Sequence, residues 1–185
     1  MAADAVAGAA GAWPSPHLWS QVPAFRGYLH SLIKAGTVLP KLRDFQPVAF
    51  PALMPDMFVA RVTAEGGLRL SLIGERLQTR SGWAPHTDYL DTYDHEQRAR
   101  VQAMMLRLFN RPAGFLIRRE TRGVQLQAAC FPVADKGGAP LGFLGVAEAR
   151  KRYSDDGVFP PPSTARPEYR TMASGAGCVV GNWPA

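Results

Sequence analysis

The stretch that most constrains this chain is Leu141 to Ala149. There Leu141, Phe143, Gly145 and Ala147 alternate with Gly142, Leu144, Val146 and Glu148, so both faces of an extended segment are almost wholly apolar. A strand buried on both sides sits in the middle of a sheet and needs a partner on each edge. One partner lies just upstream. Val124, Leu126, Ala128 and Cys130 share one face of a second strand against Gln125, Gln127, Ala129 and Phe131. In a third, Phe115 and Ile117 share a face with Arg119, and Leu116, Arg118 and Glu120 share the other. Arg122-Gly123 and Lys136-Gly137-Gly138 supply turns, which makes Ala113 to Ala149 a three-strand antiparallel meander. The other partner must come from earlier in the chain.

Asp56 to Val62 and Gly67 to Ile73 can provide it. They form a hairpin around Ala64-Glu65-Gly66-Gly67, with Leu68, Leu70 and Leu72 alternating against Arg69 and Ser71. Between hairpin and meander, Gly74 stops the strand and Glu75 to Arg80 makes a short helix. Trp83 to Thr92, broken by Pro85, has little periodicity. Asp94 then caps a longer helix, with Gln97 in the capping-box position and Glu96 one turn from Arg100. Its Val101, Met104, Met105 and Leu108 share the face expected to cover the sheet, and Asn110-Arg111-Pro112 ends it.

Upstream of the hairpin, Leu18, Val22, Phe25, Leu29 and Leu32 recur at a 4-3-4-3 spacing along Leu18 to Ile33, one stripe of a helix. Ser20 suits its N-cap, which keeps Pro23 within the first turn, and Ala35-Gly36 ends it. Such a stripe either packs on its own domain or pairs with a second copy, and a homodimer through these five residues is the expectation. Leu39 to Pro55, with Pro40, Pro47, Pro51 and Pro55, is a connector along the surface.

At 185 residues and 46% hydrophobic, the chain has enough apolar matter for one domain with tails. The expected division is a disordered leader over 1–16, the helix and connector over 17–55, an α+β domain over 56–150, and a disordered tail over 151–185 that contains Pro160-Pro161-Pro162. Two cysteines, Cys130 and Cys178, make no disulfide framework, and Met1 to Ala12 has neither a basic leader nor a long apolar run. Both features point to the cytoplasm and away from a membrane. The net charge of +6 invites a nucleic-acid reading. The arginines are nevertheless spread singly, with small clusters only at Arg118-Arg119 and Arg150-Lys151-Arg152, whereas nucleic-acid surfaces concentrate charge.

Hairpin, short helices, longer helix and meander together give a five-stranded antiparallel sheet with helices on one face, plus the N-terminal helix. That order resembles the PAS domain, and more narrowly the short stand-alone bacterial PAS proteins. The narrower resemblance rests on the linker Leu39-Pro40-Lys41-Leu42-Arg43-Asp44-Phe45-Gln46-Pro47, the strand entry Leu53-Met54-Pro55 and the strand end Ser71-Leu72-Ile73-Gly74. Ser71 replaces the Arg of the family's R-L-x-G strand end, and a following Gly-x-Asp-x-x-Gly is reduced to Gly82-Trp83-Ala84. The resemblance implies a sensory or interaction module with a cavity between sheet and helices. It would act in signal transduction by contact with other signalling proteins, and the chain shows no kinase signature, phosphate-binding loop or helix-turn-helix pattern.

The ligand-binding candidates on this reading are Phe58, Leu70, Leu72, Trp83, His86, Met104, Met105, Leu108, Phe115, Ile117, Leu126 and Phe143, for a small apolar or aromatic ligand whose identity is unknown. The absence of a cysteine before Cys130 removes covalent flavin photochemistry, and Cys130 itself reads as a small buried core thiol. Haem would need an axial histidine, for which His86 is better placed than His95. No metal-ligand spacing is present. An enzyme of a related cavity-bearing α+β shape, isomerase-like, would use Asp91 and His95 as an acid/base pair. The ordinary reading of Asp88, Asp91, Asp94 and Glu96 is capping and solvation near a helix N-terminus.

Overall fold

A computed structural model describes residues 16–110, 113–121, 124–151, 168–172 and 178–179. In it the doubly apolar strand lies inside the sheet, as its pattern demands. The strands are β1 (Met57–Val62), β2 (Leu68–Ile73), β3 (Gly114–Thr121), β4 (Val124–Ala134), β5 (Pro140–Lys151), β6 (Glu168–Met172) and β7 (Cys178–Val179). Their spatial order is β2-β1-β5-β4-β3-β6-β7, every ladder antiparallel, with β5 between β1 and β4. The meander and hairpin appear where their alternation placed them. Strands β6 and β7 correct the reading of 151–185 as a structureless tail. Neither has enough apolar residues to announce itself, but β3 offers an open edge whose backbone groups can be satisfied by any short extended segment. The rest of that tail, the leader at 1–15, Arg122-Gly123 and Arg111-Pro112 lie outside the described residues.

Because both faces of β5 are apolar, both are covered. On one side Phe143 and Ala147, with neighbours from β1 to β4, pack under helices α2 (Glu75–Ser81) and α3 (His95–Leu108), through Leu77, Val101, Met104 and Met105. On the other, Leu144 and Val146 pack with Met57, Val59, Ala129 and Phe131 under helix α1 (Pro16–Ser31). The stripe of α1 is therefore taken up within its own chain. Leu18, Val22, Phe25 and Leu29 are buried there and Leu32 packs partly against them, which replaces the expected dimer seam. The physical reason is the second apolar face of β4 and β5, which would otherwise meet water; each such side chain contributes on the order of 1.5–3 kcal/mol when covered.

Helix α1 also begins one turn earlier than the Ser20 cap implies. The Ser20 hydroxyl donates to the His17 carbonyl, and Pro23 falls in the helix interior on the exposed side, where the Trp19 carbonyl it cannot serve is able to reach water. The connector docks α1 with aromatic edges. Phe25 meets Phe45, Phe50 and Phe131 at centroid distances of 5.9, 5.3 and 5.5 Å, all edge-to-face. Downstream, the Pro40 carbonyl accepts from the Ala134 amide at 2.9 Å, carrying the chain past the end of β4.

The hairpin end is held by a buried charge. Asp56 is 1% exposed and accepts from Nε and Nη2 of Arg76 on α2. That hydrogen bond raises the guanidinium's already high pKa, and the field of Glu148 adds to it. The close approach needs Gly74, whose amide donates to the Met57 carbonyl at 2.7 Å and where a side chain would strike the carbonyls of Met54 and Pro55. Replacing Arg76 by Met should leave Asp56 buried without its partner and lower the unfolding free energy by about 3 kcal/mol in urea titration, while Arg76→Lys, unable to bond in two places, should recover only part of it.

Candidate functional site

The sheet face under α3 does not close completely. A cavity of about 30 Å³ remains between Phe58, Ala60, Phe143 and Ala147 of the sheet and Val101, Met104 and Met105 of α3, with Trp83 and Tyr89 completing the wall. Small residues set among the large ones in its floor leave the room for it. Ala128 stands opposite Ala147, and Gly145 is small enough for the Phe58 ring to lie directly over it. The volume would admit a water, but the wall offers almost no polar partner, and an apolar void of this kind stays dry.

Nine of the twelve anticipated cavity residues line it: Phe58, Leu70, Trp83, Met104, Met105, Phe115, Ile117, Leu126 and Phe143. Leu108 is buried in the same core but away from the void. Leu72 is 51% exposed, for a specific reason. Val59 pairs with Leu72 but Ala60 with Leu70, so Ser71 is an extra residue, a β-bulge that reverses the alternation and turns Ile73 inward in place of Leu72. His86 is also exposed. Its φ of 70° lets its amide donate to the Leu70 carbonyl at 2.6 Å, and the Leu70 amide donates to the Thr87 carbonyl at 2.9 Å. The segment thus seals the β2 edge with backbone, while His86 is exposed and does not line the cavity, which removes it as an axial-ligand candidate there.

Missed by the sequence reading were Ala60, Leu68, Tyr89, Val101, Ala128, Cys130 and Ala147. Leu68 and Val101 carried the right period, but small residues give no signal for a cavity floor. Tyr89 sits in a 3-10 turn (Tyr89–Thr92) whose local pattern is uninformative. Its hydroxyl accepts from that of Tyr93 at 3.0 Å, and its ring packs edge-to-face on Trp83 and Tyr93. Cys130 faces the cavity, and burial pushes its thiol well above the ordinary range, so it stays protonated and unreactive.

The charged residues nearby hold structure. Asp88 accepts from the Leu68 and Leu90 amides at 3.0 and 2.9 Å and caps the 3-10 turn. Asp94 accepts from the Gln97 amide at 2.8 Å, as the capping pattern requires, and Glu96 pairs with Arg100. Asp91 is bound by Arg98 at 2.8 Å, and His95 is exposed at the first position of α3. Among the described residues no group of histidine, cysteine and carboxylate side chains could hold a metal, and no helix is long and apolar enough to cross a membrane.

An antiparallel sheet with a chamber under short helices on one face and a single helix on the other defines an α+β domain built around an internal apolar site. Residues 21–147 match the PAS domain family, and the chain belongs to it. The matched stretch takes in most of α1, the connector, β1 to β4 and most of β5, and stops short of β6. PAS domains are sensory and regulatory modules that commonly mediate protein interactions. No curated protein and no solved structure matches the chain.

Enclosure of Cys130 makes a prediction. In a Cys178→Ser background, a thiol reagent should label the native protein only at the rate of unfolding, far slower than the same chain in denaturant. Rapid native labelling would show a cavity open to solvent.

Proposed function

We propose that this protein is a non-catalytic sensory or regulatory domain that takes a small apolar molecule into the cavity and reports its presence through β5 to α1, which docks to a partner protein in the cytoplasm. One observation carries the reading. Alternate residues of β5 serve the two faces: Phe143 and Ala147 line the cavity, while Leu144, Val146 and Glu148 meet α1, the last as a buried carboxylate accepting from the Trp19 indole at 3.2 Å. A change in the cavity that moves β5 by a fraction of an ångström must reach the Trp19 contact, because close-packed layers transmit displacement.

The ligand class follows from the wall. As it stands, the void takes only a molecule of a few atoms; Met104 and Met105 are unbranched and can move aside for one of benzene size. The wall's titratable groups are Tyr89 and Cys130, which make no acid/base pair, and the Asp91–Arg98 ion pair disfavours the isomerase-like alternative.

The absorbance spectrum and native mass of protein purified from its own host test for a resident ligand. With benzene as probe, the indole N–H resonances of both Trp83 and Trp19 should shift on titration. Ala147→Leu should abolish both shifts while lowering stability by about 1–3 kcal/mol through overpacking. Movement of Trp83 alone would mean that the cavity does not speak to α1, and movement of neither would remove the ligand site.

A further inference from the structure

The two edges of the sheet are closed in different ways. The β2 edge is sealed locally by backbone from His86 and Thr87, within the family-matched stretch. Among the described residues the β3 edge is covered by β6, which lies outside that stretch, so β1 to β5 by themselves would leave β3 with a row of unpaired amides and carbonyls. We propose that the outer edge of β3 is a strand-accepting surface, filled at rest by the chain's own Glu168–Met172, and that it accepts the same strand from a second copy, so that two chains exchange C-terminal strands into a twofold dimer.

The pairing needed is the one the structure already contains. Gly114 to Arg118 lie opposite Met172 to Glu168 in antiparallel register, which sets Arg118 across from Glu168 and Ile117 across from Tyr169. This register is made between backbone groups, which any copy of the segment presents equally. A second copy presents the identical sequence to the identical edge, so exchange requires no new complementarity.

Chain length permits both arrangements. From the end of β5 to the start of β6 is a step of three strands, about 14 Å at ordinary strand spacing. Sixteen residues separate Lys151 from Glu168, with an extended reach of roughly 55 Å. The connection does not force the strand onto its own edge. At low concentration the tethered strand wins, because a linker of this length gives an effective concentration on the order of 1 mM; crowding copies together, or shortening the linker below the span, turns the balance to exchange.

Deleting Tyr153 to Arg166 leaves Arg152 and Pro167, a reach of about 10 Å, too short for β6 to regain its own β3 in this register. In the complete chain with only this deletion, sedimentation should show a dimer of doubled mass, with the outward amides of β3 as protected from hydrogen exchange as in the parent. Adding Tyr169→Pro and Arg170→Pro removes two neighbouring amides, one of which faces β3, and should return a monomer with those amides exposed. A monomeric deletion variant, or a dimer that survives the two prolines, would overturn the proposal. A second measurement does not depend on the deletion folding. In the full chain carrying Cys130→Ser, Cys178→Ser, Arg118→Cys and Glu168→Cys, oxidation should link the pair within one chain at low micromolar protein and increasingly between chains toward millimolar; linkage within one chain at every concentration would equally overturn it.

Discussion

Everything in this fold depends on β5 having no polar face. A strand of that kind cannot lie at a margin or on a solvated surface, so it recruits β1 and β4 along its edges and a helical layer on each side. The layers differ in what they can fill. Helix α1 meets large side chains, Phe131, Leu144 and Val146, and closes with aromatic edges around Phe25. Helix α3 meets a floor in which Ala60, Ala128 and Ala147 stand among larger side chains, and leaves a void. The cavity thus lies on the face of β5 that carries Gly145 and Ala147, while Leu144 and Val146 on the other face pack under α1.

That asymmetry gives the site its chemistry. The charges that might have done proton transfer are engaged elsewhere: Asp88 with backbone amides, Asp91 with Arg98, Asp56 with Arg76. What faces the void is hydrocarbon, sulfur, and the Tyr89 ring with its hydroxyl turned to Tyr93. On the proposed reading such a wall would discriminate by size and shape, and an occupant would have few ways to act except by pressing on its surroundings. The most consequential neighbour is Ala147, because the next residue, Glu148, is buried on the opposite face and tied to α1.

Much of this was legible in the sequence, and the failures have identifiable causes. Period-2 alternation located the hairpin and meander, the double apolarity of Leu141 to Ala149 located the centre of the sheet, and Asp94 with Gln97 marked the start of α3. Leu72 misled because a one-residue bulge at Ser71 inverts every later side chain on the strand, and no glycine announces it. His86 misled because an irregular segment can face either way, and here its backbone is needed to close an edge. The α1 stripe could be read either as a seam or as a lid, and its amphipathic pattern is the same in both; only the second apolar face of the meander decides. Strand β6 left no mark, since edge pairing is made by backbone, which composition does not record.

The central claim is that β5 is clamped between two packed layers and carries strain from one to the other. Residue-resolved hydrogen exchange tests it most directly. The amides of Phe143 to Ala147 should be the slowest in the chain, opening only with global unfolding, and their protection should track denaturant sensitivity of the whole molecule. If they instead exchange by local fraying while β1 or β4 remains protected, the strand is not the clamped centre of the fold, and the route from cavity to α1 does not exist.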